Sequence, residues 1–345
     1  MDKKKIVICH TDVSTKYGGA EIHVEQLYHQ LKTHGYEVNW IKIPYSSRKS
    51  NLEDQMNLWR EYPCPEDIDL VITTRFPSYG IQHRNKITWL IHQCRAAYEL
   101  FGTKYSDFKD TASDTKLRSS IKLFDETSLL ESKKIFTNSQ NTANRLKKFN
   151  RIDGEALYHP PKLIGKYYHK EYGKFILSVG RLEKLKRIDL LIEAMKFIPK
   201  KVTCIIAGTG SKEKELKKLV KKHNLNDRVK FLGFVDDKTL LKLYASCFAV
   251  YYAPYDEDYG YVTLEAFLSK KPVITCTDSG GILEFVRDGE NGYIRNPIPL
   301  HIGEAITNLY EQRKNLCPLL GTMGYERVSG ITWDHVIKKI TQTLK

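Results

Sequence analysis

The chain has 345 residues, 41% hydrophobic and 28% charged, and its 55 Lys and Arg outnumber 41 Asp and Glu for a formal net charge of +14. Such a profile is that of a soluble globular protein with enough apolar material for two cores of ordinary size. No apolar run approaches the ~20 residues of a membrane-spanning helix, and the start, "MDKKKIVICH", shows neither an apolar leader nor a small-residue cleavage site.

The first third alternates apolar runs with helical stretches. "KIVICH" (Lys5–His10) reads as a buried strand, and "GAEIHVEQLYHQLKTHG" as a helix ended by Gly35. "YEVNWIKI", "DLVITT" and "KITWLIH" follow as strands. An irregular stretch near residues 102–116 precedes a helix around Leu117–Leu130, then the strand "KIFTNS" and the helix "QNTANRLKKF". Strand and helix taking turns over short connections is the pattern of a parallel sheet covered on both faces.

The alternation pauses at Pro160 and Pro161, which forbid helix and favour an extended link. It resumes with strand "FILSVG", helix "RIDLLIEAMKFI", strand "VTCIIAG", helix "KEKELKKLVKKH", strand "VKFLG", helix "DKTLLKLYASC" and strand "FAVYYA". A helix from "YVTLEAFL", a strand "PVITC" and three closing helices near 300–314, 317–328 and 333–344 complete the chain. The expected fold is α/β, two doubly wound Rossmann-like domains facing across a cleft. The boundaries are 1–163 for the first domain, with a C-terminal helix 331–345 packing back on it, 164–173 for a linker, and 174–330 for the second. Ligands of such folds bind at the carboxyl ends of the strands.

Seven scattered cysteines with no CxxC pair and no metal-ligand spacing read as reduced core thiols of a cytoplasmic protein. His29 and His34, five apart, are off the helical spacing one metal would need, and no metal site is expected. The basic runs "KKLVKK", "RLKK" and "VIKK" sit at helical spacing beside apolar residues, as solvated faces do. No zinc-finger spacing, RNP-like strand or basic tail supports a nucleic-acid partner. A soft attraction to anionic membranes or anionic ligands remains for the excess charge.

Four strand–helix junctions carry candidate chemistry. In "YDEDYGYVTLEAFL", Glu257 falls in the loop after a strand and Glu265 on the second turn of the following helix. The N–H groups of Gly260, Tyr261 and Val262 between them form a helix N-terminus suited to an anion. In "SVGRLEKLKRIDLL", Arg181 and Lys186 place two cations at another junction, as a diphosphate would want, or as ordinary surface charge beside a helix start. Gly18 and Gly19 open the first helix and permit close backbone approach. Gly280 and Gly281 enter a further helix bearing Glu284, as a ligand loop or a tight turn. His92 ends a strand, either reaching a sugar hydroxyl or serving as a satisfied structural histidine. "GTGSKEK" lacks the Gly-Lys-Ser/Thr ending of a P-loop and reads as a turn.

Taken in order, "GGAE", "YHPP", "SVGRLEKLK", "IIAGTG", "VKFLGFV", "EDYGYVTLEAF", "KPVITCTDSGGILEFVRDGENGYI" and "ITWDHV" resemble the retaining GT-B glycosyltransferases of the family-4 type, also called glycosyl transferases group 1. The resemblance covers nearly the whole chain and is most specific in its second half. It implies that Arg181 and Lys186 hold a donor diphosphate, that Glu257 contacts the transferred sugar and Glu265 the nucleotide ribose as an E-x7-E pair, that Gly19 and the amides after Gly260 complete a phosphate cradle, and that His92 lies near the sugar hydroxyls and acceptor. The residue after Lys186, often glycine in the family, is Arg187 here, and "HQCR" follows the strand of His92.

The implied reaction moves a hexose-type unit from a nucleoside diphosphate sugar to a saccharide, lipid-linked or other hydroxyl acceptor with retention, in glycan, glycolipid or polysaccharide synthesis. It needs no metal and no cofactor beyond the donor. A nucleotide-sugar epimerase or phosphorylase on the same scaffold, or a non-catalytic nucleotide-sugar-binding subunit, are the alternatives. Up to Gly165 there are 25 Lys and Arg against 20 Asp and Glu, an excess that gives peripheral contact with an anionic membrane face as a further expectation.

Overall fold

A computed structural model describes residues 3–13 and 18–344. It divides into two units, residues 1–162 with 332–345, and residues 163–331.

The first unit is built on a six-stranded sheet in the order β2-β1-β3-β4-β5-β6, parallel throughout. Its strands are β1 (Lys5–Asp12), β2 (Glu37–Pro44), β3 (Leu70–Thr73), β4 (Lys86–Leu90), β5 (Lys134–Thr137) and the short β6 (Glu155–Ala156). The two-residue period of a strand sends Ile6 and Ile8 to one face and Val7 and Cys9 to the other, and all four are buried. Ile6 and Ile8 pack with Val24, Leu27 and Leu31 of α1 (Gly19–Thr33) and with Trp333, Val336, Ile337 and Ile340 of α11 (Trp333–Ile340). The opposite face is covered by α2 (Leu52–Glu61), α3 (Ala112–Leu130) and α4 (Gln140–Asn150).

Three features differ from the sequence reading. Helix α2 was not expected, although Leu52, Met56 and Trp59 recur at helical spacing and are all buried. Helix α3 begins five residues early, because the Thr111 hydroxyl accepts from the Asp114 amide at 3.3 Å and caps a helix inside the supposedly irregular stretch. The two-residue strand β6 was also missed.

The second unit holds another parallel sheet, β12-β11-β10-β7-β8-β9. The strands are β7 (Phe175–Val179), β8 (Thr203–Ala207), β9 (Val229–Gly233), β10 (Ala249–Tyr251), β11 (Val273–Cys276) and β12 (Gly292–Arg295). Helices α5 (Ile188–Ala194), α6 (Glu213–Lys222), α7 (Asp237–Ser246), α8 (Tyr261–Leu268), α9 (Pro299–Glu311) and α10 (Leu316–Val328) surround it. Residues 164–173, expected as a linker, run along this unit: the Lys170 and Glu171 amides donate to the Ala245 carbonyl and the Gly173 amide to that of Ser246. The buried Lys271 ammonium donates to His169 at 2.9 Å and to the Glu171 carbonyl. The helix expected after Gly280 is only a single 3-10 turn over Gly281–Glu284. Gly280 stands at φ 63° and ψ −128°, a backbone state open to glycine alone, so the chain turns there instead of starting a long helix.

Candidate functional site

The second sheet reverses its winding between β7 and β10, which are hydrogen-bonded neighbours although some seventy residues apart in sequence. At such a switch point the connections leave in opposite directions and open a crevice at the carboxyl ends of the strands. Lys186 follows β7 and Glu257 follows β10, and the crevice brings them together: the ammonium donates to the Glu257 carboxylate at 2.6 Å and to the Tyr252 hydroxyl at 3.1 Å. Both side chains are largely but not wholly covered, at 14% and 18% exposure. Tyr252 is buried, and burial together with the nearby Glu257 and Glu265 carboxylates holds its phenol well above its usual range. It therefore keeps its proton, accepting from Lys186 while remaining able to donate.

Arg181, on the same loop as Lys186, is exposed, and its guanidinium makes no hydrogen bond or ion pair among the described residues. Gly260 caps α8 at φ 91°, and a Cβ there would stand 2.8 Å from Ile282 Cγ1 and 3.2 Å from Tyr252 Cε1. Glycine is thus required twice over, by the left-handed backbone and by the close approach. The amides of Tyr261 and Val262 lie in the first turn of this helix, at its positive end. Gly281 is constrained by space alone, since a Cβ would meet the Asp258 carbonyl oxygen at 2.4 Å.

Glu265 lies one helical stretch further on, and its surroundings differ from those of Glu257. The Tyr244 hydroxyl donates to it at 2.6 Å. Burial raises the proton affinity of this carboxyl, and the Tyr244 and Tyr167 hydroxyls offset part of that rise. The two glutamates are therefore not equivalent: one is paired with an ammonium, the other accepts from the Tyr244 phenol.

Arg187 is the main residue that sequence reasoning left without a role. It sits at φ 50°, and its buried side chain turns inward. Its Nε donates to the Ala253 carbonyl at 2.8 Å, and one terminal nitrogen to that of Pro254 at 3.1 Å. The two terminal nitrogens grip the Asp278 carboxylate at 2.8 and 2.6 Å. Tyr252, Tyr244 and Asp278 were likewise not singled out, because each lies far in sequence from the residue it serves.

In the first unit His92 follows β4 half-buried, and its Nδ1 donates to the Gln93 carbonyl at 2.8 Å. In the neutral ring this bond leaves Nε2 as the basic nitrogen. Gln93 is buried below it, donating to Asp125 at 2.7 Å and to Asn150 at 2.9 Å. Tyr79 and Tyr98 also donate to Asp125, at 2.6 and 2.8 Å, and burial pushes that carboxyl up to about 7. At the start of α1, the Gly18 amide donates to Glu21 at 2.9 Å, and the other oxygen of Glu21 takes the Arg75 guanidinium at 3.0 Å. The chain's own carboxylate thus accepts from the Gly18 amide, while Gly19 is exposed. The residues 15–17 preceding these glycines in "TKYGGAE" lie outside the described residues.

Among the described residues no group of three His, Cys, Asp or Glu is arranged to hold a metal ion, and no helix is long and apolar enough to cross a membrane. All seven cysteines are free thiols, six of them buried.

Residues 161–325 match the family model described as "Glycosyl transferases group 1". The human alpha-1,3/1,6-mannosyltransferase ALG2 is 31% identical over 225 residues, covering 56% of this chain and 53% of that protein. The chain spans about half the length of the curated relatives it matches. Among solved structures, sucrose-phosphate synthase of Thermosynechococcus elongatus superposes with a TM-score of 0.80 at 19% identity, over 99% of this chain and 98% of that one. Anabaena Alr3699/HepE, solved in complex with UDP and glucose, gives 0.72 at 19% identity over 99% of each chain. Residues 161–325 are thus similar to the glycosyl transferases group 1, and the chain's pair of Rossmann-like units has the GT-B fold.

Proposed function

We propose that the chain transfers a hexose-type sugar from a nucleoside diphosphate sugar to a hydroxyl acceptor, with retention of anomeric configuration. The observation that carries this reading is the Lys186–Glu257 pair at the β7/β10 switch point, beside the unpaired Arg181 guanidinium and the α8 N-terminus. As the sugar departs, negative charge grows on the leaving diphosphate and positive charge on the anomeric carbon. Lys186, held by Glu257 and Tyr252, the exposed Arg181, the Gly260 cap and the first-turn amides of Tyr261 and Val262 would be donors for the former. Glu257, next to the same ammonium, would contact the sugar and oppose its developing positive charge. Glu265, oriented by Tyr244, can accept from ribose hydroxyls while it is ionised.

His92, with Nε2 basic, would accept a proton or a hydrogen bond from a sugar or acceptor hydroxyl. These cations and helix dipoles would supply leaving-group stabilisation from the chain's own residues, so the reaction as proposed runs without a metal. The excess of basic residues in the first part of the chain supports an acceptor presented at an anionic membrane surface, with peripheral contact there from the cytoplasmic side.

The test begins with a thermal-shift screen against UDP, GDP, ADP and their common sugars, where the true donor raises the melting temperature by mass action. Incubation of that donor with and without acceptor, followed by NMR of the product, then decides the chemistry. A new glycosidic bond of unchanged anomeric hand supports transfer with retention. Epimerised donor without transfer, or an inverted linkage, refutes it.

A further inference from the structure

We propose that Arg187 and Asp278 form a positioning clamp that holds Lys186 and Glu257 in register while the ammonium passes from the carboxylate to the leaving diphosphate. The inference rests on the transferase reading above and adds to it two residues that touch neither substrate nor the reacting atoms.

Three loops meet at Arg187. It is the residue directly after Lys186, so whatever fixes its backbone fixes the loop of the cation. Its guanidinium spans the carbonyls of Ala253 and Pro254, at the root of the loop that carries Glu257. The same guanidinium forks onto Asp278, at 2.8 and 2.6 Å, in the turn that ends in Gly280 and Gly281. Backbone bonds close the circuit: the Tyr255 amide donates to the Leu185 carbonyl, Asp256 to Asp278, Glu257 to Ser279, and Gly281 back to Glu257, at 2.8, 2.8, 3.2 and 2.8 Å. The Tyr251 hydroxyl donates to the Arg187 carbonyl at 3.2 Å and holds the residue from the strand side.

Two features argue that this is more than packing. A left-handed backbone at a non-glycine residue is unfavourable, and here it is what turns the side chain from solvent into the junction. A planar five-donor fork can satisfy two carbonyls and a carboxylate together, which a lysine in the same place could not. The geometry also answers a requirement of the reaction. In the resting protein the Lys186–Glu257 pair is one of the ties between the first two loops. When the ammonium turns to a diphosphate that tie weakens, and the Arg187 bonds to Ala253, Pro254 and Asp278 remain. Reacting groups displaced by an ångström can lose about a hundredfold in rate, so keeping the loops fixed at that moment is a catalytic need.

The experiment compares the unsubstituted protein with Arg187→Lys, Asp278→Asn and Asp278→Glu, by hydrogen–deuterium exchange and by steady-state kinetics with UDP-glucose, UDP-N-acetylglucosamine and GDP-mannose as donors. The expected result is exchange at least tenfold faster at the amides of Asp256, Glu257 and Gly281 in Arg187→Lys and Asp278→Asn, with β8 unchanged. The same two variants should lose about ten- to a hundredfold in kcat with donor KM moving less than about threefold. Asp278→Glu, which keeps a carboxylate for the fork, should recover part of both. Unchanged exchange refutes the clamp, and faster exchange with kcat within twofold of wild type refutes its positioning role. If Arg187→Lys does not fold, Arg187→Gly relieves the left-handed backbone while still deleting the fork, and serves in its place. A wild-type protein that turns over no activated sugar refutes the transferase reading, and the exchange arm then still decides whether the clamp holds the loops.

Discussion

Replacing Glu257 by glutamine should tighten binding of the nucleoside diphosphate product while abolishing most of the transfer. In the resting site the Glu257 carboxylate lies 2.6 Å from the Lys186 ammonium. A phosphate oxygen accepting from the same ammonium would sit about 4–5 Å from that carboxylate. Two unit charges at that separation repel by about 3–4 kcal/mol at an effective dielectric near 20. Solvent reaches the pair, since its side chains are 14% and 18% exposed, and the carboxylate can turn aside. The share left to be relieved by Glu257→Gln is about 1–2 kcal/mol, a five- to thirtyfold gain in affinity. The amide keeps the size and one acceptor, so the loop should stay in place. It cannot oppose the positive charge of the departing sugar, and loss of such a transition-state contact costs about a hundredfold or more in kcat. Calorimetric titration with the diphosphate selected by thermal shift, alongside initial rates, reads both effects. Weaker diphosphate binding, or transfer left intact, would refute the reasoning.

Tyr244→Phe removes a 2.6 Å bond from the Glu265 carboxylate. It should cost about 1–2 kcal/mol of stability and raise the Glu265 pKa further, so diphosphate affinity should fall away at a higher pH than in the wild type as pH is lowered; titrations across pH check this. His10, His23 and His159 are buried and held in the neutral form, His23 down to about 3. Their folded pKa values lie below the unfolded value, so this stability is complete above pH 6.5 and is lost as pH falls, by up to about 1.4 kcal/mol per unit for each ring. Asp125, raised to about 7, acts in the opposite direction between its unfolded value and pH 7. Urea unfolding from pH 7 to 5 should be visibly less steep in pH for His23→Phe, which keeps an aromatic ring beside Trp89 and His159. Gly281→Ala drives a Cβ into the Asp258 carbonyl and should destabilise by about 1–3 kcal/mol, with a matching drop in melting temperature and weaker diphosphate binding.

What the sequence made legible follows from physical range. Apolar runs such as "KITWLIH" and "FAVYYA" announce strands because burial on both faces demands unbroken hydrophobicity. β12, "GYIR", is short and borders only β11, so Tyr293, Ile294 and Arg295 are half-buried and carry no such signal. The start of α3 was available in Thr111 and Asp114, a cap and its partner, but they lie among polar residues that also suit a loop. At the site, Gly260 and Lys186 could be read from their junctions. Tyr252, Tyr244 and Asp278 could not, since their roles depend on which strands are neighbours.

That dependence is the deeper reason the site exists. Winding the sheet outward from β7 to β8 and β9 on one side, and from β10 to β11 and β12 on the other, leaves β7 and β10 as the central pair. Chain segments that follow those two strands must then diverge over opposite directions of the sheet, and only their first residues share space. A cation soon after β7 and an acid soon after β10 are for that reason neighbours, whatever separates them in sequence. Position after the strand, more than spacing along the chain, decides which charges meet. Glu265 carries the same chemistry as Glu257, but it lies eight residues further on, beyond Gly260 and inside α8, and it meets Tyr244 instead of Lys186.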